Sequence, residues 1–130
     1  MHVILGGEAN GKRQFVREQL NGSAVWLGDD GLLDLSAGNR ISPNVPVVVT
    51  GLETYMAGRL AEEQQAASEL LSFIRNREAY VIVTDIGRGI VPADPEARAL
   101  RDACGRLAQL LVNEAETVTR IWFGLPQKLK

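Results

Sequence analysis

Short apolar runs and amphipathic stretches alternate along this chain of 130 residues. Runs rich in branched apolar residues predict strands at residues 2–5, 24–27, 46–50, 80–84 and 117–123. Apolar positions spaced three and four residues apart predict helices at residues 11–20, 52–75 and 95–114. Asp94 and Pro95 are typical residues for the start of the last helix. Residues 35–45 show no clear period and are predicted to form a loop.

This alternation predicts an α/β fold with a mainly parallel sheet that is covered by helices on both faces. In such sheets, ligands bind beyond the carboxyl ends of the strands. The rule brings four segments to one rim, namely residues 6–12, 28–30, 50–53 and 85–92. We therefore expect the functional site at this rim.

The first predicted strand leads directly into a glycine-rich loop and a helix. Residues 6–13 read G-G-E-A-N-G-K-R and fit the phosphate-binding pattern G-x-x-x-x-G-K, without the Ser or Thr that normally follows. Glycines let backbone N–H groups surround an anion, and a helix N-terminus adds partial positive charge. The fold is therefore predicted to be P-loop NTPase-like. The predicted nucleotide-binding residues are Gly6, Gly7, Asn10, Gly11, Lys12 and Arg13, with Lys12 on the outer phosphates.

Two residues of this loop are unusual for nucleotide chemistry. Arg13 replaces the hydroxyl that normally holds Mg²⁺, and its fixed cation repels a divalent metal. Glu8 places a carboxylate inside the loop. One hypothesis is that Arg13 stands in for the metal and binds phosphate directly. The alternative is a rebuilt Mg²⁺ site that uses two of the rim acids Asp29, Asp30, Glu53 and Asp85, although residues 29–31 also match ordinary turn chemistry.

Length and composition limit the number of domains, the kinds of partner and the kinds of metal site that this chain can have. A length of 130 residues predicts one domain, residues 1–130, and a formal net charge of −2 gives no footprint for nucleic acid. No apolar run approaches the roughly 20 residues that a membrane span needs. The single Cys104 cannot form an internal disulfide and is expected to be a buried, inert thiol, so a cytoplasmic location is expected. One cysteine and one histidine cannot build a zinc site, and Trp26 and Trp122 are expected in the core or at a subunit interface.

Further motifs lie in the second half of the chain. Residues 85–92 read D-I-G-R-G-I-V-P, residues 98–109 read R-A-L-R-D-A-C-G-R-L-A-Q, and residues 124–130 read G-L-P-Q-K-L-K. Together with the loop at residues 6–13, these segments resemble the cobinamide kinase/cobinamide-phosphate guanylyltransferase family of corrinoid assembly. Its patterns are N-E-V-G-x-G-I-V-P, R-x-x-R-D-x-x-G-x-x-N-Q, G-L-P-x-x-L-K and G-G-x-x-S-G-K-S.

The resemblance implies a P-loop fold, often a compact trimer, that binds ATP or GTP and a corrinoid. It also implies a kinase step, followed by guanylyl transfer through a histidine that carries GMP. The chain is shortened where that histidine lies, and its only histidine is His2. Thr50 stands where the family has an acidic strand-end residue, and Asp85 takes the place of the family's glutamate.

Three functional hypotheses follow. The first is a nucleotide-dependent kinase of the cobinamide type, with Lys12 and Asp85 as catalytic residues and no guanylyl step. The second is a non-catalytic module that binds a nucleotide or anion, or that serves as a partner subunit, which Arg13, Glu8 and Thr50 favour. The third is a structural oligomer whose loop is vestigial.

Overall fold

Six strands alternate with helices in the computed structural model, which describes residues 1–7, 11–84 and 94–130. The strands are β1 (His2–Gly6), β2 (Val25–Leu27), β3 (Val47–Val49), β4 (Ala79–Thr84), β5 (Thr117–Trp122) and β6 (Leu125–Lys128). The α-helices are α1 (Lys12–Leu20), α2 (Leu35–Gly38), α3 (Leu52–Ala57), α4 (Glu63–Ile74) and α5 (Pro95–Glu114). A 3₁₀ turn at Leu60–Glu62 precedes α4.

The strands form one sheet in the order β2-β3-β4-β1-β5-β6, and all neighbours are parallel except β5 and β6. This arrangement confirms the predicted α/β fold. Gly6 at the end of β1 is level with Thr84 at the end of β4, and Val49 at the end of β3 is level with Leu27 at the end of β2. The carboxyl ends of β1 to β4 therefore lie along one edge, as predicted.

Alternate residues of the strands pack on opposite faces of the sheet. Val3, Val47 and Val81 join the larger core, which α3, α4 and α5 cover. Ile4 and Val48 lie on the other face, where Val16 of α1 packs against them. Helices therefore cover both faces, with several on one side and α1 on the other. Among the described residues, no helix is long and apolar enough to cross a membrane.

The helix predicted at residues 52–75 is wrong as a single element. α3 ends at Ala57, and Arg59 leaves helical geometry with a φ of −136° before the chain turns into α4. The Arg59 guanidinium donates to Glu62 at 2.6 Å and also pairs with Glu69, so it holds the corner. The apolar spacing continues across this corner because both helices pack on the same core.

The loop predicted at residues 35–45 contains the one-turn helix α2. The Asp34 carboxylate caps it by accepting from Ser36 N at 3.0 Å and Ala37 N at 3.3 Å. A Cβ on Gly38 would lie 2.7 Å from the Phe73 ring, so only glycine lets this turn pack so closely on α4.

The strand predicted at residues 117–123 does not close the sheet, because β6 forms its edge. Phe123 and Gly124 connect β5 to β6 with φ values of 50° and 75°. Two consecutive residues with positive φ are typical of the tight turn that matches strand twist in a hairpin. The sequence of β6 contains Pro126 and two polar residues and does not resemble a strand, which explains why the pattern missed it.

Candidate functional site

A cavity of about 800 Å³ lies at the carboxyl ends of the central strands. Its floor includes Ile82, Val83 and Thr84 of β4, and its walls come from the start of α1, the turns after β2 and β3, and the middle of α5. Three of the four segments predicted on the rim contribute residues to this cavity. The fourth, residues 85–92, lies outside the described residues. The predicted Asn10 and Asp85, and also Glu8, are likewise outside them.

Gly6 and Gly11 of the phosphate loop occupy positions that a side chain would strain. A Cβ on Gly6 would lie 2.8 Å from the backbone oxygen of Ile121 in the neighbouring strand β5. Gly11 has a φ of 87° and forms the N-cap of α1 without a side-chain cap. The first N–H groups of α1 therefore receive no side-chain cap from this position, which is the arrangement that an anion-binding helix start needs.

Lys12 is the first residue of α1 and is only 6% exposed. Its stem packs beside Gly6, and its ammonium donates a hydrogen bond to the carbonyl oxygen of Gly7. A lysine is almost never so buried unless its charge is compensated. The ammonium is thus held within the loop, against the backbone that would surround a phosphate.

Arg13 lies on the exposed side of the same helix turn. Its guanidinium pairs with the Asp29 carboxylate in the turn after β2, and it lies 5.7 Å from the centre of the Trp26 ring. Arg17, one turn further along α1, lies 5.0 Å from the same ring and also lines the cavity. Sequence reasoning did not single out Arg17, although its spacing of four residues from Arg13 places both on one helix face.

Thr50 joins the turns that follow β2 and β3. The Thr50 hydroxyl donates to the carbonyl oxygen of Leu27 at 3.2 Å, and its backbone N–H donates to the same oxygen at 2.9 Å. A Cβ on Gly28 would lie 2.1 Å from Thr50 O. Thr50 therefore seals two strands together and provides no carboxylate at this position.

These residues do not fit a Mg²⁺ site of the usual kind. A cation occupies the position of the metal-binding hydroxyl, and Asp29 is already paired with that cation. Asp30 accepts from Leu32 N at 3.2 Å, which confirms the turn interpretation for this residue. Within residues 1–7, 11–84 and 94–130, no group of three or more His, Cys, Asp or Glu side chains is placed to hold a metal ion.

The far wall of the cavity belongs to α5. Arg101 lines it, although its guanidinium also donates to the adjacent Asp102 at 3.1 Å. Cys104 is half-buried, and burial raises the pKa of its thiol to about 11, helped by the carboxylates of Glu53 and Glu63. The thiol therefore carries little thiolate at neutral pH, consistent with the predicted inert role.

The cavity is richer in cations than the whole chain. Lys12, Arg13, Arg17 and Arg101 face it, whereas its described acids are Asp29 and Glu53. The whole chain carries a formal net charge of −2. Among the described residues, this cation-rich lining favours an anionic ligand.

His2 lies far from this cavity. It begins β1 at the amino end of the sheet, whereas the phosphate loop follows the carboxyl end of the same strand. Its Nδ1 atom is 2.8 Å from the Thr117 hydroxyl, and its ring lies 4.9 Å from that of Tyr80. The arrangement is that of a histidine held between strands.

Comparison with known proteins gives one family. Residues 34–129 match the model of the family described as cobinamide kinase / cobinamide phosphate guanyltransferase. A search of curated proteins finds no match. The matched residues include β3, β4 and α5, whereas β1, the phosphate loop and α1 precede them.

The match covers most of the chain, and the sheet and cavity agree with the P-loop NTPase-like fold of that family. The chain therefore belongs to the cobinamide kinase / cobinamide phosphate guanyltransferase family.

Proposed function

We propose that this chain binds the phosphates of ATP or GTP in the loop at residues 6–13 and that it acts as a cobinamide-type kinase without the guanylyl step. The buried Lys12 is the observation that carries this proposal. Its ammonium already donates to the carbonyl oxygen of Gly7 in the loop, and a phosphate that entered the loop would offer it an oppositely charged and therefore stronger acceptor than this carbonyl.

Binding of nucleoside triphosphate, measured by calorimetry, tests this assignment. Lys12→Met keeps an apolar stem in the buried position but removes the charge, and we expect it to abolish binding while the protein stays folded. Lys128→Met, on the exposed strand β6, removes the same charge elsewhere and serves as the matched control. Equal binding by the wild type and Lys12→Met would reject the assignment.

We further propose that Arg13 takes the role of the metal in phosphate binding. Its cation stands at the position of the metal-binding hydroxyl and is held at the cavity by Asp29. Affinity for ATP or GTP is then expected to be nearly the same with and without Mg²⁺. A steep requirement for Mg²⁺ in the binding titration would rule out this role.

In the kinase step, a hydroxyl oxygen of the acceptor bonds to the terminal phosphorus, the bond to the bridging oxygen breaks to release the diphosphate, and the hydroxyl proton leaves to water. Lys12 would stabilise charge on the outer phosphates. Asp85 follows β4 directly in the chain. Its role in positioning the acceptor hydroxyl stays a prediction. The guanylyl step needs a histidine at the site, and the chain's only histidine, His2, lies at the other end of the sheet.

A second candidate function is binding without turnover. The Arg13–Asp29 pair and the strand-end Thr50 favour it, because both replace groups that order a metal in phosphoryl transfer. Incubation with ATP or GTP and cobinamide separates the two. Phosphorylated cobinamide that disappears with Lys12→Met supports the kinase, and tight binding without product supports the binding module.

The chain is also proposed to form a homo-oligomer, as the family resemblance implies. Leu125 and Leu129 are largely exposed on and beside the edge strand β6. Exposed edge strands with apolar side chains are normally covered by another element or another chain. Association with a second copy would supply that cover.

A further inference from the structure

The tip of the β5–β6 hairpin lies directly beside the phosphate loop. Gly124 Cα is 3.4 Å from the position that a Cβ on Gly11 would occupy. Gly11 is the N-cap of α1, so the hairpin tip adjoins the turn that would hold an anion. This contact was not predicted from the sequence, because it joins two distant parts of the chain.

Two aromatic side chains stand at this tip. Phe123 is 78% exposed and Trp122 is 45% exposed, and their rings meet edge to face with centroids 5.5 Å apart. The Arg120 guanidinium lies 4.8 Å from the centre of the Trp122 ring and holds it in place. The Phe123 ring is therefore the aromatic surface that is most open to a ligand.

Neither the core nor the turn explains a phenylalanine at position 123. The side chain is mostly in water, and its backbone has a φ of 50°, a conformation that bulky residues rarely adopt. Asn or Gly would suit this turn better. A residue that is unfavourable both for exposure and for backbone geometry points to a role in binding.

The order of the sheet determines which part of a bound nucleotide would reach the Phe123 ring. The phosphate loop follows β1. The cavity lies on the β4 side of this loop, and the hairpin tip lies on the β5 side of the loop. A nucleotide whose terminal phosphate points into the cavity would therefore extend its nucleoside towards the hairpin. Nucleotide bases are flat and stack well on aromatic side chains, whatever hydrogen-bond donors and acceptors a base carries.

We propose that Phe123, supported by Trp122, forms the stacking surface for the base of the nucleotide whose phosphates bind in the loop at residues 6–13. This inference rests on the proposed nucleotide binding and adds the site of the base. Because the contact is made through ring faces, it implies little discrimination between ATP and GTP.

The test compares ATP and GTP with inorganic tripolyphosphate, which has the phosphates but no base. We expect Phe123→Ala and Phe123→Asn to weaken ATP and GTP binding about tenfold, which is the order of one stacked base. Both variants should leave tripolyphosphate affinity unchanged, and Phe123→Tyr should retain wild-type affinity for all three. Leu32→Ala changes an apolar residue that is also largely exposed but lies beside a different cavity, and it is the matched control.

A fluorescence measurement gives an independent readout. In Trp26→Phe protein the remaining tryptophan is Trp122, and ATP should quench it whereas tripolyphosphate should not. Loss of affinity for nucleotides and tripolyphosphate alike, no loss for any of them, or a change in oligomeric mass with unchanged nucleotide affinity would each overturn the stacking surface. Failure of tripolyphosphate to bind the wild type would instead reject the phosphate loop, even where Phe123 still governs nucleotide binding.

Discussion

Two adjacent cations at the start of α1 differ in burial and in partner. Lys12 is buried and bonded to a loop carbonyl, whereas Arg13 is half-exposed and paired with Asp29. An incoming phosphate that binds Arg13 must therefore compete with the carboxylate that is already paired with this cation.

Removing the carboxylate should accordingly strengthen anion binding. We expect Asp29→Asn to raise the affinity for triphosphate by a factor of about 1.4 to 5, because a solvated ion pair contributes about 0.2–1 kcal/mol. Asp30→Asn removes an equal charge from a residue that serves the turn and should have a smaller effect. Equal gains from both variants in calorimetric titrations would mean that overall charge, and not release of Arg13, is responsible.

Cys104 offers a pH-dependent readout at the same cavity. Burial raises the pKa of its thiol from 9.0 to about 11, so alkylation by iodoacetamide should be slow at pH 9 and should accelerate as the pH approaches 11. The unfolded chain ionises first in this window, so this group contributes stability below pH 9 that is lost as the pH rises through 11. Cys104→Ser should abolish the alkylation. It should also remove the part of the fall in the free energy of unfolding that this thiol causes as the pH rises. A folded-state alkylation midpoint near pH 9 would contradict the assignment.

At the scale of elements, the turns depend on glycines in two opposite ways. Gly58 ends α3 with ordinary helical angles, and a Cβ there would have Thr54 O at 3.7 Å as its nearest neighbour. Gly28 has a φ of 82°, and a Cβ there would lie 2.1 Å from Thr50 O. The first glycine is permissible, whereas the second is required.

Alanine substitutions at these two positions should therefore have opposite effects. Gly58→Ala is expected to raise the free energy of unfolding by about 0.4–1 kcal/mol, because it restricts the unfolded chain without a clash. Gly28→Ala should lower it by at least about 1–3 kcal/mol through strain and the clash with β3. Denaturant titrations of both proteins measure these changes. Destabilisation by Gly58→Ala would show that the corner between α3 and α4 needs glycine as well.

For the whole molecule, the order of the sheet gives its two edge strands different surroundings. One edge, β2, lies beside the turns of the cavity, and the other edge, β6, exposes Leu125 with Leu129 beside it. The phosphate loop lies between these edges at β1. Assembly through β6 would leave the cavity open while it covers the apolar edge.

The assembly prediction concerns this edge. We expect sedimentation to show an oligomer, and we expect Leu125→Lys to shift it towards the monomer, because a charge at a covered apolar contact is costly. Leu32→Lys, at an equally exposed leucine away from β6, should leave the mass unchanged. A wild-type protein that stays monomeric at high concentration would contradict the proposed oligomer.

The sequence predicted well wherever neighbouring residues decide the structure. The bounds of α5 are as predicted, since Asp94 accepts from Glu96 N at 3.1 Å and Pro95 occupies the first turn. The apolar spacing that predicted this helix only partly matches its buried face, because Leu107 and Leu111 are buried whereas the apolar Ala97 is exposed. The corner at Arg59 escaped prediction because the apolar spacing continues across it, and β6 escaped prediction because Pro126 and its polar residues do not resemble a strand.

By itself the sequence determined the alternating elements, the glycine-rich start of α1 and the set of residues available to hold phosphate, because these depend on local spacing and residue type. Only the tertiary structure decided the partners of those residues. It paired Arg13 with Asp29, withdrew Lys12 into the loop and set the aromatic hairpin tip beside Gly11. The physical reason is the order of the sheet, which makes β4 and β5 the neighbours of β1 although both lie far from it along the chain.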